Sequence, residues 1–425
     1  MNISKVKDSI NSARTFTHVY RQWQSLTQQL MVSCPVSPHL VIIPCDPWSV
    51  GGSRGDEAML TAVIQQNRAK YPNIPIDIVA ESDMGMQYIN GLHIPGATPR
   101  MYWAGAYPLE RIYKQCMQLN PSHVVVLGAD CMDGYYAPNL SLMLLALHDL
   151  FSRSEGVESR MMGFSFNAHP SIMIKWAFRH ISYDTKLNLR DAVSLERFKR
   201  ICKVDADLVA DSAFMLQPDY EFDGYRELEQ WVSGKRTQGT KHIIGMNFHP
   251  MLRKYNSTDE IKHDALILAR NVENILKDNP TLDFVFIPHD DRSRLTDNLM
   301  LGTMAEYIRQ QGLGSRVYYK EEVYRAPQLK ALCLLLDGLV SSRMHLAIAA
   351  LGQGRSVLAA SYQGKFEGLF QHFSLPQQYI LPASTFISEA MVQSFNDYIS
   401  HLDELNAQVQ RILPHVTNLS EQNLL

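Results

Sequence analysis

The feature that most restricts the fold is a repeated alternation of short apolar runs with segments of helical length. In the first half of the chain, apolar runs that we interpret as buried strands occupy residues 40–43, 76–80, 123–127 and 161–166. Segments with a helical spacing of apolar residues occupy 57–70, 109–119, 139–152 and 169–180. Short, continuously apolar strands separated by helices are typical of parallel sheets that are covered on both faces. The first half is therefore predicted to form a parallel α/β domain.

The same alternation begins again in the second half. Strands are predicted at residues 243–247, 284–287, 317–319, 338–341 and 356–361, with helices between them. Residues 221–240, which separate the two series, are polar and glycine-containing, and this favours an interdomain connection. The predicted domains are residues 1–220 and 241–385, and helices at 386–425 could cross back onto the first domain. The predicted fold class is α/β, with two Rossmann-like, doubly wound domains that face each other across a cleft.

Length, charge and cysteine usage restrict the class of protein further. A chain of 425 residues is too long for one ordinary domain. Its formal net charge of −3 does not favour a nucleic-acid partner. Its apolar runs are shorter than the roughly 20 residues that a membrane-spanning helix requires, and the N-terminus shows no signal-peptide pattern. The six cysteines lack CxxC spacing and indicate reduced thiols. We therefore expect a cytoplasmic protein without stable membrane insertion, and its oligomeric state stays open.

A glycine-rich loop follows the first predicted strand and precedes a helix. Its residues of interest are Gly52, Ser53, Arg54, Gly55, Asp56 and Glu57. Glycine permits a ligand to approach the backbone closely, and a helix N-terminus presents free N–H groups. The carboxylates of Asp56 and Glu57 could accept hydrogen bonds from sugar hydroxyls. The alternative is that they only compensate the helix dipole.

A second ligand-type segment, residues 341–345, lies where a strand of the second domain is followed by a helix. Arg343 and His345 fall at the start of that helix, beside free backbone donors. A guanidinium, an imidazole and a helix N-terminus together suit a phosphate or a carboxylate. After the last predicted strand, Lys365 could add a positive charge and Tyr362 a hydroxyl group or a stacking face. The structural alternatives are a surface arginine beside a packed histidine, and a solvated lysine.

Two further segments follow strands of the second domain and so face its ligand edge. The first, residues 247–250, begins with Asn247, and the second, residues 288–292, contains His289. His289 together with Asp290, Asp291 and Asp297 suggests a metal cluster, but this spacing matches no established site. We therefore predict hydrogen-bonding or structural roles here and no metal.

Two segments of the first domain follow short predicted strands. One contains Arg190, Asp191 and Ser194, and the other spans residues 211–214. Asp191 and Ser194 are good helix caps, so these segments are structural when they are considered alone. The chain has no GxxxxGK[ST] phosphate loop, no GxSxG nucleophile elbow and no HExxH helix.

Taken in order, these motifs resemble the polysaccharide pyruvyl transferase family over residues 40–375. The matching segments are Gly55-Asp56-Glu57-Ala58, Arg190-Asp191 with Ser194, Asp211-Ser212-Ala213-Phe214, Pro288-His289-Asp290, and Arg343-Met344-His345 followed by Tyr362 and Lys365. The last segment is the most specific. The chain departs from the family pattern at Ser53, where members commonly have Asn, and at residues 127–130, where they have a glycine-rich turn.

The resemblance implies a GT-B-like fold, phosphoenolpyruvate as the donor, and a sugar or lipid-linked saccharide as the acceptor. It also implies that Arg343 and His345 belong to the donor site. We predict Lys365, Tyr362, His289 and Asn247 as further donor-binding residues and the loop at 52–57 as the acceptor site. Histidine transfers protons near neutral pH, so His345 is the predicted general acid, and Arg343 and Asp56 are the other catalytic candidates. Phosphoenolpyruvate is a co-substrate in this scheme, so no cofactor is expected.

Two alternatives remain open from the sequence. One is a nucleotide-sugar glycosyltransferase or epimerase of the same fold, in which Glu321 or Glu322 could bind a ribose. The other is a non-catalytic sugar-binding or assembly protein. The sequence does not identify the accepting sugar, its carrier or the general base.

Overall fold

The structure, a computed structural model, describes residues 3–91, 97–250, 253, 255, 257–290, 296–361 and 364–424, with side chains from residue 11 onward. The chain forms two compact units. The first comprises the residues up to Gly52, Met59–Met215 and the residues from Asn418 onward. The second comprises Ser53–Ala58 and Leu216–Thr417. Each unit is built around its own parallel sheet.

In the described ranges, the first unit contains a five-stranded parallel sheet in the order β3-β2-β1-β4-β5. Its strands are β1 (Leu40–Ile43), β2 (Ile76–Val79), β3 (Ala97–Arg100), β4 (His123–Val126) and β5 (Glu158–Met161). The strands β1, β2 and β4 are buried along their whole length, as strands covered on both faces are. A small parallel pair, β6 (Asn188–Leu189) and β7 (Asp207–Leu208), follows. This strand order is that of a doubly wound sheet.

Helices connect the strands of the first unit. They are α1 (Ile3–Leu26), α2 (Arg54–Lys70), α3 (Asp83–Gly91), α4 (Leu109–Met117), α5 (Pro138–Arg153), α6 (Ile172–Phe178) and α7 (Ala192–Cys202). Along α1, Phe16, Val19 and Trp23 recur at helical spacing and are buried. The indole Nε1 of Trp23 donates a hydrogen bond of 2.9 Å to the buried carboxylate of Asp149. The first helix is thus part of the core of its own unit.

The second unit contains a six-stranded parallel sheet in the order β10-β9-β8-β11-β12-β13, as far as the chain is described. Its strands are β8 (His242–Asn247), β9 (Leu282–Phe286), β10 (Val317–Tyr319), β11 (Gly338–Ser341), β12 (Val357–Ser361) and β13 (Ile380–Pro382). Its helices are α8 (Asp223–Thr237), α9 (Thr258–Asp278), α10 (Asp297–Gln310), α11 (Ala326–Leu334), α12 (Met344–Leu351), α13 (Phe366–His372), α14 (Ala383–Phe386), α15 (Ala390–Ser400) and α16 (Leu402–Glu421). The predicted pair of doubly wound sheets is confirmed.

The strand predictions were least accurate at the edges of the sheets. The run at 161–166 is not the strand, because β5 spans Glu158–Met161 and only its last residue is fully buried. The edge strands β3 and β13 were not predicted at all. The sequence of β3, Ala-Thr-Pro-Arg, carries no apolar run, because an edge strand packs against neighbours on fewer sides. Apolar composition therefore identifies central strands better than edge strands.

The boundaries between the units also differ from the predicted ranges. Most of the predicted connection at 221–240 is the helix α8, which belongs to the second unit. At the C-terminus, the side chain of Asn423 accepts a hydrogen bond from the backbone N–H of Gly163 and donates one to the carbonyl of Ala210. These bonds tie the end of the chain to the first unit. None of the helices in the described ranges is long and apolar enough to cross a bilayer.

Candidate active site

The second sheet has its topological switch point between β8 and β11, where the strand order reverses. The last residues of these strands, Asn247 and Ser341, are partners in the parallel register. In doubly wound sheets, ligands bind beyond the carboxyl ends of the strands at such a point. The loops that follow β8 and β11, together with the loop after the neighbouring β9, therefore form the first place to look for a site.

Arg343 lies directly before α12 and is fixed by two carboxylates. Its Nη1 donates to Oδ2 of Asp290 at 3.1 Å, and its Nη2 donates to Oδ1 of Asp297 at 2.5 Å. The side chain is 17% exposed, so the guanidinium is mostly, but not fully, removed from solvent. Its Nε is buried and has no hydrogen-bond partner among the described residues. A guanidinium carries five N–H donors, so this fork retains donors for a ligand.

Asp297 joins Arg343 to the other two loops of the site. Its buried carboxylate also accepts hydrogen bonds from Nδ2 of Asn247 at 2.9 Å and from the backbone N–H of His289 at 3.0 Å. Burial raises the pKa of Asp297, and the positive charge of Arg343 opposes that rise. Asn247, predicted as a donor-binding residue, thus holds the carboxylate that positions Arg343.

Two buried histidines lie beside this arginine. Burial, followed by the positive charge of Arg343, holds the pKa of both His249 and His289 well below the ordinary value. The charge of Lys365 further depresses the pKa of His249, and the charge of Arg54 further depresses that of His289. The Nδ1 atom of His289 is buried and has no hydrogen-bond partner in the described part of the chain. Near neutral pH these rings are neutral, although the carboxylate of Asp290 partly opposes the cationic side chains that act on both.

The first turn of α2, which sequence analysis placed in the first domain, belongs to the second unit. A Cβ atom added to Gly55 would lie 2.3 Å from Nδ1 of His345, so only glycine fits there without movement of the ring. Ser53 precedes the helix and caps it, because its Oγ accepts a hydrogen bond of 2.9 Å from the backbone N–H of Asp56. The same hydroxyl donates to the carboxylate of Asp56 at 2.7 Å. The carboxylate of Asp56 is thus bonded to the residue that caps α2.

Glu57 lies between two arginines. Its Oε2 accepts a hydrogen bond from Nη1 of Arg54, and its Oε1 accepts one from Nε of Arg325, each at 3.1 Å. The carboxylate is 1% exposed, and Nη2 of Arg54 also donates to the carbonyl of Val323. Sequence reasoning missed Arg325, because it is 268 positions away from Glu57 and has no motif around it.

The comparisons with known proteins agree with this geometry. A family model described as polysaccharide pyruvyl transferase matches residues 54–364, well over half of the chain. The chain belongs to the polysaccharide pyruvyl transferase family. Membership makes it a transferase, and the matched range covers the glycine-containing turn at Gly55 as well as Arg343 and His345. A comparison with curated proteins gives no match.

Solved structures with the same fold are described as epimerases and as a synthase. A UDP-GlcNAc 2-epimerase from Neisseria meningitidis bound to UDP-GlcNAc is 13% identical, with a TM-score of 0.55, over 91% of this chain and 98% of that chain. A putative UDP-N-acetylglucosamine 2-epimerase from Listeria monocytogenes is 14% identical, with a TM-score of 0.54, over 89% and 95%. A UDP-forming trehalose-phosphate synthase from Burkholderia vietnamiensis is 10% identical, with a TM-score of 0.51, over 91% and 96%. At such identities, the likeness establishes the GT-B fold of this pyruvyl transferase family member and nothing more.

The family motifs of the first unit form buried polar contacts. Nη1 of Arg190 donates to Oδ2 of Asp211 at 2.8 Å, and both side chains are 4% exposed. Nε of Arg190 donates to the hydroxyl of Ser165 at 2.7 Å. Asp191 caps α7 by accepting a hydrogen bond from the backbone N–H of Ser194. These contacts fit the structural roles that the sequence predicted for the two segments.

The remaining predicted residues are placed only in part. Lys365 directly precedes α13, and its charge acts on His249. Gly52 ends the first unit's portion of the glycine-rich loop. Tyr362 and Asp291 lie outside the described residues. No group of three His, Cys, Asp or Glu side chains within the described ranges could hold a metal ion, and Asp290 and Asp297 bind Arg343 instead.

Proposed function

We propose that this transferase moves a pyruvyl group from phosphoenolpyruvate to a sugar, where it forms a ketal. The observation that carries the proposal is the position of the Arg343 guanidinium, which two carboxylates hold at the switch point of the second sheet. Its buried Nε has no hydrogen-bond partner among the described residues. Planar guanidinium groups bind phosphate and carboxylate through paired hydrogen bonds. The charge of Arg343 acts on the neutral His249 and His289, and the charge of Lys365 acts on His249. A bound anion would favour protonation of the two imidazoles.

In the proposed reaction, His345 donates a proton to the CH₂ carbon of the enol. The neighbouring carbon becomes electrophilic, a sugar hydroxyl attacks it, and that hydroxyl loses its proton. The bond from this carbon to the phosphate oxygen then breaks, and a second hydroxyl of the sugar closes the ketal and loses its own proton. Of the two protons lost, one replaces the proton that His345 gave and the other leaves with the phosphate, so the reaction is balanced. Arg343 stabilises the negative charge on the departing phosphate.

We assign the acceptor to the first unit, at the switch point between β1 and β4. The loop after β1 exposes Trp48, and the loop after β4 exposes Tyr135, with 55% and 59% of their surfaces accessible. Glu81, at the end of β2, is bound to the β1 loop through its backbone N–H and the carbonyl of Pro47. Aromatic faces and a carboxylate that accepts hydrogen bonds from hydroxyls are suitable groups for binding a sugar.

Thermal unfolding of the full chain with phosphoenolpyruvate and, separately, with UDP-N-acetylglucosamine tests the donor. A ligand at about 100 times its dissociation constant stabilises a protein by about 2.7 kcal/mol. Stabilisation by phosphoenolpyruvate alone supports the proposal. Stabilisation by the nucleotide sugar alone would favour a glycosyltransferase or epimerase, the function named for the structural neighbours, and would reject the pyruvyl donor.

A further inference from the structure

Arg54 is placed with the donor site although it stands in the loop predicted to bind the acceptor. Arg54 is the first residue of α2, and the first turn of this helix belongs to the second unit. The next residue, Gly55, leaves no space for a Cβ beside His345, and Arg343 lies two positions before that histidine. In the sequence, Arg54 is therefore next to Gly55 and Arg343 is two residues before His345, so both arginines flank the contact between Gly55 and the His345 ring.

The guanidinium of Arg54 is held in place and still has free donors. Nη1 is bound to Glu57 at 3.1 Å, and Nη2 is bound to the carbonyl of Val323 at 3.3 Å. Nε is buried and has no hydrogen-bond partner among the described residues. In the described part of the chain, one N–H on each Nη also remains beyond these two bonds. A fork held in this way loses little side-chain freedom when it binds a ligand.

The local charge indicates which kind of ligand group suits this fork. Glu57 accepts hydrogen bonds from both Arg54 and Arg325 and so offsets part of the positive charge of Arg54. A guanidinium whose charge is partly offset by a carboxylate suits a monoanion, such as a second carboxylate, which its planar fork can bind through paired hydrogen bonds. The positive charge of Arg54 also acts on the donor site, because Arg54 is one of the groups that lower the pKa of His289.

The place of Arg343 suits the other anionic group of the donor. Arg343 lies at the N-terminus of α12, its charge acts on the neutral His249 and His289, and the charge of Lys365 also acts on His249. His289 is buried and its Nδ1 has no hydrogen-bond partner within the described ranges, so it is available to an anion. Although Asp290 and Asp297 bind Arg343, the backbone N–H groups of the helix N-terminus and the positive charge of Lys365 suit a phosphate, which carries more charge than a carboxylate.

We propose that Arg54 binds the carboxylate of the enolpyruvyl donor while Arg343 binds its phosphate. The first turn of α2 then recognises the pyruvyl part of the donor. This inference rests on the proposed function. It makes Glu57 a positioning residue, because that carboxylate holds Arg54 through Nη1. The two guanidiniums then fix both ends of a small, rigid molecule beside His345.

Calorimetric titration of the full chain with phosphoenolpyruvate and with inorganic phosphate tests this assignment. For Arg54→Ala, we expect phosphoenolpyruvate to bind about 10- to 100-fold more weakly, because a hydrogen-bonded charge pair is lost. Inorganic phosphate should bind to this variant as it does to the wild type. Arg343→Ala should weaken the binding of both. The matched control is Arg309→Ala, since Arg309 is 69% exposed and pairs only with Glu306 among the described residues.

Phosphate binding also reports whether the site is intact in Arg54→Ala. If that variant does not fold, Arg54→Lys replaces it, because lysine keeps a charge beside Glu57 but loses the planar fork, and the same selective loss is expected. Unchanged affinity for phosphoenolpyruvate, or an equal loss for both ligands, overturns the assignment of Arg54. A wild-type protein that does not bind phosphoenolpyruvate at all overturns the proposed function instead, and the inference with it.

Discussion

A Cβ atom on Gly55 would lie 2.3 Å from Nδ1 of His345, so the first turn of α2 passes directly against the imidazole. These residues are the glycine of the Gly-Asp-Glu segment and the histidine of the Arg-x-His segment, which lie nearly three hundred positions apart in the chain. Their contact makes one site of two motifs that the sequence analysis had assigned to different substrates.

The first prediction concerns this contact. Gly55→Ala should displace the ring of His345 and lower kcat, although alanine favours the helix itself by roughly 0.5–1 kcal/mol. Gly234→Ala is the matched control, because Gly234 is also helical and a Cβ there meets nothing within 4 Å. Phosphate release during transfer measures kcat. Equal kcat in the two variants would show that the ring tolerates a neighbouring methyl group.

The second prediction concerns proton transfer by His345. His345→Ala should lower kcat by roughly 10²–10⁴-fold, the usual contribution of a general acid, and leave the unfolding temperature near that of the wild type. His263→Ala, on the exposed face of α9, should have no effect. The measurement is steady-state phosphate release at saturating donor and acceptor. A His345 variant with wild-type kcat would remove this residue from the proton-transfer step.

The third prediction separates capping from catalysis at Asp56. Because its carboxylate accepts a hydrogen bond from Ser53, Asp56→Asn should cost under about 1 kcal/mol of stability and leave both kinetic constants for the acceptor unchanged. Acceptor kinetics at saturating donor test this. A fall of kcat by about 100-fold with intact folding would instead support the catalytic role.

The fourth prediction concerns the acceptor. Trp48→Ala should raise the acceptor KM, while the donor KM stays at the wild-type value, because Trp48 follows β1 in the first unit. The matched control is Tyr183→Ala, which removes an aromatic side chain that is also exposed. An unchanged acceptor KM in the Trp48 variant would direct the search for the acceptor site to other loops.

The fifth prediction concerns stability and pH. Burial lowers the pKa of His148 from 6.5 to about 4, and it lowers the pKa values of His249 and His289 in the same direction. The unfolded chain binds a proton at each of these histidines near pH 6.5, whereas the folded protein does not until the pH is much lower. The contribution of these histidines to the free energy of unfolding should therefore be fully present above pH 6.5, and it should fall as the pH decreases below that value.

His148 alone should cost about 2 kcal/mol of unfolding free energy at pH 5, and His249 and His289 should add to the loss in the same direction. Urea unfolding at pH 7.5 and pH 5.0 measures the difference. His148→Gln removes one of the three groups and should reduce the loss by about the same amount, whereas the exposed control His263→Gln should not. A free energy of unfolding that is equal at the two pH values would contradict this account.

Much of the site was predictable, because a parallel sheet places the carboxyl ends of all its strands along the same edge. The lengths of the apolar runs located the central strands, so residues after them, such as Asn247, His289 and Arg343, were expected together. The structure unites these residues through one carboxylate, that of Asp297. Edge strands such as β3 escaped prediction, because partial burial leaves no apolar run to detect.

The sequence by itself determined the two doubly wound sheets and the family motifs, since both follow from local periodicity and from the order of short segments. Only the tertiary structure decided that the turn containing Arg54 and Gly55 belongs to the second unit, and that Glu57 is paired with Arg325. A helix cap such as Asp191, which the sequence predicted, forms within four residues. The pairing of Glu57 with Arg325 depends on how distant elements pack, and no local pattern of residues encodes it.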